Sequence, residues 1–240
     1  MVFFRNHVSA NSQDCVKMNL TCKFDQSLCD SIARNLIQHD VNELEYRDRK
    51  HAAVAFTLVD CSEPAHIANI PFSIQSRQQA AYILTTRAAR LSSHAGQRAF
   101  PGGRVDPGET AEQAALRELE EEVGLKLDSS KVLGRLDDYA TRSGYVITPI
   151  VVWGGNNVEM VPNPGEVDQI HRIPLTELLR QDAPILEAIA ENEHPVMKMP
   201  LGDEWFAAPS AAIAYQFREV ALLGRSTRVA HYEQPHFAWK

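Results

Sequence analysis

Gly103–Leu125, GRVDPGETAEQAALRELEEEVGL, is the stretch whose reading decides the fold. Thr110 followed three residues later by Gln113 is a capping-box pattern, and Gly124 is a stop signal, so the spacing predicts a helix between them. The intervening Ala, Leu, Glu, Gln and Arg are good helix formers. At roughly 100° per residue, Ala115, Leu116, Leu119 and Val123 fall on one apolar stripe and Glu118, Glu121 and Glu122 on the neighbouring sector. One face is built to pack, and the next carries three carboxylates.

Such carboxylates repel one another. Two unit charges about 6 Å apart at an effective dielectric of about 20 cost on the order of 3 kcal/mol. A face turned to water relieves this, and so does a bound cation. The residues just upstream favour the cation. Phe100-Pro101-Gly102-Gly103 ends a strand with two glycines that permit a tight backbone path beside a ligand, and Gly103 can add a backbone carbonyl to the acidic cluster. An oxygen-only donor set suits a hard divalent ion, Mg²⁺ or Mn²⁺, which also takes oxygens from substrate phosphates. The chemistry implied is metal-assisted attack of water on phosphorus.

From Gly103 through Glu109 to Arg117-Glu118-Leu119-x-Glu121-Glu122-x-Gly124-Leu125, the segment resembles the Nudix box at every defined position. The resemblance implies an α/β fold, the Nudix-type α/β/α sandwich with a mixed sheet. It also implies hydrolysis of a nucleoside diphosphate linked to a further group, with Mg²⁺ or Mn²⁺ as cofactor. Glu118, Glu121 and Glu122 then correspond to the metal-binding carboxylates, with Glu122 the principal ligand and Glu118 and Glu121 also candidates for activating water. Arg117 and Glu109 correspond to a supporting pair, Arg117 orienting a carboxylate by a charge-assisted bond. Nudix proteins often draw another acid from downstream; Glu166 is the candidate here, for metal or for base, in competition with Glu159 and Asp168.

A second resemblance narrows the substrate. Ile83-Leu84-Thr85-Thr86-Arg87-Ala88, then Gly96, then Phe100-Pro101-Gly102-Gly103 resembles the upstream motif of the coenzyme A pyrophosphatase branch of the family. One position departs: Ser92 stands where that pattern has a second arginine. The loss removes a bidentate phosphate contact, and Arg90 is the candidate to replace it, on the same side as residue 92 if the segment is extended. The resemblance implies coenzyme A or its thioesters as substrate, cleaved to 3′,5′-ADP and (acyl-)4′-phosphopantetheine. The box alone fits ADP-ribose, NADH or a dinucleoside polyphosphate equally well, and a non-catalytic nucleotide-sensing module is the alternative from another class.

Independently of any family, a chain of net charge −7 that binds a polyanion should concentrate cations at the site. Arg87, Arg90, Arg98 and Arg104 cluster about the glycine turn. Arg87, Arg90 and Arg104 are candidate substrate contacts; Arg98 alternates outward in a competing reading. His94, in the same segment, is either a hydrogen-bonded support or substrate-facing.

With 240 residues, 44% hydrophobic and 23% charged, the chain suits one sizeable domain with an extension. No apolar run is long enough for a membrane span, and the acidic balance argues against nucleic-acid binding. The first residues show neither a signal nor a transit pattern, so a cytoplasmic protein is expected. Cys15, Cys22, Cys29 and Cys61 match no usual zinc spacing and are expected as reduced structural thiols.

The expected division is an extension over residues 1–47, carrying one helix within Asp25–Gln38, and a catalytic domain over residues 48–240. The extension either docks onto that domain or mediates a homodimer. Strands are expected at Ala52–Val59, Ala81–Thr86, Lys131–Leu136 and Tyr145–Trp153, the last an apolar run typical of a sheet covered on both faces. Ile173–Leu179 reads as a strand end passing into a helix, and Ala207–Leu223 as a long helix.

Overall fold

The computed structural model describes residues 22–46, 48–91, 95–189 and 193–235. His94 and Ser92 therefore lie outside the described residues, as do Cys15 and the tail from residue 236.

The acidic segment forms helix α2, Ala111–Val123, preceded in the chain by helix α1, Gln26–Gln38. Both α2 ends are those read from sequence. Thr110 Oγ1 accepts from the Gln113 backbone N–H at 3.2 Å, Gln113 Oε1 accepts from the Thr110 N–H at 2.9 Å, and Gly124 closes the helix in the left-handed region at φ 71°.

A mixed sheet lies beside it. Strand β1, Lys50–Asp60, runs parallel to β7, Tyr145–Gly155, and antiparallel to β2, Ala80–Arg87. Strand β8, Val167–Pro174, pairs with the far side of β2; β5, Val132–Arg135, and β6, Tyr139–Ala140, pair with β7. β1 and β2 pair only at Leu58–Asp60 and Ala80–Tyr82. Toward their other ends they are separated by β3, Arg98–Ala99, on β2 and β4, Gly102–Arg104, on β1, and Pro101 accepts from the Ala55 N–H at 2.8 Å.

The alternation of β1 sorts its side chains between two cores. Ala53, Ala55 and Val59 meet Ala114, Ala115, Leu119 and Val123 of α2. Phe56 and Leu58 point the other way, into a larger core with Leu28, Ile32 and Leu36 of α1 and with helix α3, Ser210–Gln216. Helices thus cover both faces of the sheet, the α/β/α sandwich. α1 is fastened further by Asn35 Nδ2, which donates to the Ala221 carbonyl at 2.9 Å.

Two expectations are modified. The long helix expected over Ala207–Leu223 is α3 followed by a π-helical stretch, Phe217–Leu222, whose first ring stacks on Phe56 at 3.9 Å. After β8 the chain makes a single 3₁₀ turn, Leu175–Glu177, in place of a helix start. The region before α3 forms a small antiparallel sheet of β9, Ile185–Glu187, β10, Val196–Leu201, and β11, Glu204–Ala207. Cys22, Cys29 and Cys61 are free, buried thiols, and burial pushes Cys22 and Cys61 up to about 11. Among the described residues no helix is long and apolar enough to cross a membrane.

Candidate active site

Two elements converge on one acidic cluster. Glu118 and Glu122, one turn apart on α2, meet Glu166 from the turn before β8, and one carboxylate oxygen from each lies within 4.8 Å of the others. The turn is set by Asn163: its carbonyl accepts from the Glu166 N–H at 2.9 Å, and its own N–H donates to the Glu122 carbonyl at 2.9 Å. The segment carrying Glu166 is thus tied directly to the end of α2.

β4 forms the rim. A Cβ on Gly103 would sit 2.1 Å from Glu118 Oε1, and one on Gly102 would sit 2.4 Å from the Ala53 carbonyl oxygen. Both glycines are required by close approach: Gly102 lets β4 pair with β1, and Gly103 leaves room for the Glu118 carboxylate.

Glu122 is only 3% exposed. Burial raises its pKa to about 8; Glu118 and Glu166 push the same way, and Arg87 and the Gly102 backbone N–H oppose them. Glu118 is also raised, by burial first and then by Glu121 and Glu166, with Arg117 opposing. Even with Arg87 and Arg117 beside it the cluster gathers three carboxylates in a largely buried place, and its donors are all carboxylate oxygens, which fits a hard divalent cation.

Arg117 organises the surrounding charge. Nε and Nη2 donate to the two oxygens of Glu109 at 3.0 and 3.1 Å, Nη1 donates to Glu118 at 2.8 Å and Glu121 at 3.2 Å, and Nη2 reaches the Arg104 carbonyl at 3.0 Å. This hydrogen bonding holds the Glu109 carboxyl below its usual range. Glu121, expected among the metal ligands, stands outside the three-carboxylate cluster. Its side chain is 52% exposed and turned to Arg117.

On the opposite face of the sheet from α2 lies a cavity of about 760 Å³. Its floor is apolar, with Val54, Phe100, Ile147, Phe206 and Ile213, and three arginines, Arg87, Arg98 and Arg104, reach its walls. The three differ in how their charge is balanced. Arg98 bonds to Thr86 Oγ1 and to Glu204 at 2.9 Å, beside buried His171. Arg87, at the end of β2, acts on Glu122, and its buried Nε has no hydrogen-bond partner among the described residues. Arg104 rests on Tyr145. Arg90 is exposed, with its guanidinium beside Gly165 in the turn that carries Glu166.

The cavity wall contributed by Tyr145, Glu204, Trp205 and Phe206 was not singled out from the sequence. Tyr145 reads there as the first residue of an apolar strand, and Glu204–Phe206 belongs to the small sheet. The available signal is the polar-aromatic run Asp203-Glu204-Trp205-Phe206, with Trp205 45% exposed.

The model of the NUDIX domain matches residues 68–192, more than half of the chain. The chain belongs to the Nudix hydrolase family. The uncharacterized Nudix hydrolase NudL of Yersinia enterocolitica is 40% identical over 120 residues, covering 50% of this chain and 62% of that one. The corresponding protein of Photorhabdus laumondii is 46% identical over 98 residues, covering 40% and 52%. The matches thus span less than two thirds of these relatives. A MutT/nudix family structure from Enterococcus faecalis shares 15% identity over 68% of this chain and 52% of that one, with a TM-score of 0.44. In this Nudix chain β1, α1 and α3, which complete the sandwich, extend beyond the matched segment.

Proposed function

We propose that this protein hydrolyses the diphosphate linkage of a nucleotide derivative, with coenzyme A or its thioesters as the preferred substrate, in the cytoplasm. The observation that carries the reading is the meeting of Glu118, Glu122 and Glu166 at the glycine rim of a cavity walled by arginines. Coenzyme A is chosen because Arg87, Ala88, Gly96 and the Phe100–Gly103 run fit the upstream motif.

Glu118, Glu122 and Glu166 would hold Mg²⁺ or Mn²⁺, with the Gly103 carbonyl as a further oxygen. The ion, when bound, neutralises diphosphate charge and makes water a better nucleophile at neutral pH. The chain's own groups do the rest. Arg117 fixes Glu118 toward the cluster and is itself held by Glu109, so the carboxylates keep one orientation. Arg87 and Arg90 flank the cluster and bind the phosphate oxygens on the side of Glu166. Glu121, half-exposed beside Glu118 and paired with Arg117, is assigned as the base for the attacking water: the water oxygen bonds to one phosphorus, the bridging P–O bond breaks, and the second phosphate leaves as part of the other product. The products from coenzyme A are 3′,5′-ADP and 4′-phosphopantetheine.

The test is a comparison of kcat/KM, in Mg²⁺ and in Mn²⁺, for coenzyme A, acetyl-coenzyme A, ADP-ribose, NADH and a dinucleoside polyphosphate, read by product chromatography. Preference for the coenzyme A compounds supports the full reading. Preference for another diphosphate removes the substrate assignment and keeps the chemistry; no product with any of them removes both.

A further inference from the structure

Arg104 is held differently from every other arginine at the cavity. Its Nε and Nη2 both donate to one acceptor, the Tyr145 hydroxyl, at 3.1 and 2.9 Å, and its guanidinium carbon lies 5.8 Å from the centre of the Tyr145 ring. Its backbone carbonyl is tied to Arg117. Among the described residues no carboxylate pairs with it. The cavity has one acidic lining residue among the described residues, Glu204, which is bonded to Arg98. Tyr145 therefore orients a guanidinium without neutralising it. Two of the five N–H groups of Arg104 are used, and the edge that remains suits two oxygens of a phosphate.

The position of this group matters. β4 separates it from the cluster: the Gly103 Cα hydrogens face Glu118, while Arg104, the next residue, alternates to the other side and lines the cavity. A phosphate on Arg104 would be a different phosphate from those at Glu118, Glu122 and Glu166. We propose that Arg104, positioned by Tyr145, forms a subsite for a phosphate monoester that the substrate carries in addition to its scissile diphosphate. The subsite selects nucleotides phosphorylated on the ribose over their unphosphorylated counterparts. This deepens the nucleotide reading of the cavity given above and rests on it.

The discriminating substrates are coenzyme A and dephospho-coenzyme A, which differ only in the ribose phosphate. Their kcat/KM values are measured with the full chain, its Tyr145→Phe and Arg104→Met variants, and Arg104→Lys. Tyr145→Phe keeps the ring under Arg104 and removes only the acceptor. Wild-type protein is expected to favour coenzyme A by about tenfold or more, the scale of one charge-assisted contact. Arg104→Met abolishes that ratio and Tyr145→Phe lowers it several-fold, because the loss falls on coenzyme A far more than on dephospho-coenzyme A. Arg104→Lys, which cannot fork onto the hydroxyl, fails to restore the ratio. Equal losses on both substrates would overturn the proposal and assign Arg104 to the scissile diphosphate.

A binding experiment separates this failure from failure of the hydrolase reading. Titration calorimetry without metal compares adenosine 3′,5′-bisphosphate with AMP. Tighter binding of the bisphosphate, lost in Arg104→Met and weakened in Tyr145→Phe, upholds the subsite even if no substrate is cleaved. Equal binding of the two by wild-type protein overturns it whatever is hydrolysed. Unchanged thermal unfolding in each variant establishes that the differences arise at the cavity.

Discussion

Glu122 is both the most buried member of the acidic cluster and the one whose proton is most strongly retained. Glu122→Gln preserves its shape and removes its charge, and is expected to lower kcat by about 10²–10⁴-fold, the range for loss of a positioned ionisable group. Far-UV circular dichroism should be unchanged; wild-type turnover would remove Glu122 from the reaction. Gly103→Ala is the complementary test, because it alters no charge. Its methyl would meet the Glu118 carboxylate at 2.1 Å, so Glu118 must leave the cluster or β4 must shift. A loss of Mn²⁺ affinity by calorimetry, with intact secondary structure, is the expected result, and unchanged affinity would show that Glu118 is not needed in that position.

At the scale of the element, α2 couples metal to stability. In the metal-free protein the Glu122 carboxyl keeps its proton up to about pH 8, whereas in the unfolded chain it ionises near 4.5. The folded state therefore binds more protons across that window, and this contribution to stability, complete below about 4.5, is lost as pH rises through 8. Thermal unfolding of metal-free protein should show this decline, and Mn²⁺ should raise Tm more at pH 8.5 than at pH 6. A metal-free Tm that is flat over the range, or an equal decline in Glu122→Gln, would contradict it. Much of this element was legible in sequence because Thr110, Gln113 and Gly124 act locally: each terminates the helix through bonds within a few residues. The meeting of Glu166 with Glu118 and Glu122 was only suggested, since it depends on the Asn163 turn docking onto the end of α2. The β9–β11 sheet was not legible at all. Its strands are short, Pro200 stands inside β10, and Pro in a strand argues against reading one. For the same reason the cavity wall it carries, Trp205 included, gave no sign of its role.

The whole molecule depends on both cores. Ile32 of α1 is fully buried, on a helix that packs against β5 and the π-helical stretch Phe217–Leu222. Ile32→Ala should therefore cost about 2–5 kcal/mol, read by urea unfolding, as for other core truncations. A loss below about 0.5 kcal/mol would mean that α1 stands apart from the cooperative unit. His171 joins the same core to the cavity wall: its Nδ1 lies 2.7 Å from the Ala65 carbonyl oxygen and its Nε2 2.7 Å from Thr86 Oγ1. Burial holds its pKa down near 4, with the Ala65 bond opposing and Arg98 assisting. Because the unfolded chain takes up this proton first, stability complete above about pH 6.5 is lost as pH falls toward 4, by up to about 3 kcal/mol. Comparing wild-type and His171→Gln by urea unfolding at pH 7 and pH 4.5 isolates the effect, which is absent if the wild-type slope persists in the variant.

The splaying of β1 from β2, with β3 and β4 wedged between them, has a further consequence. The carboxylates sit with α2 on one side of the sheet and the cavity opens on the other, so β4 stands between the acidic cluster and the cavity. A ligand that fills both must be long enough to cross it. Under the proposed function, molecular reach becomes a criterion of selection: inorganic pyrophosphate or a simple nucleoside diphosphate reaches only one of the two, while an extended, two-ended molecule anchors in both at once.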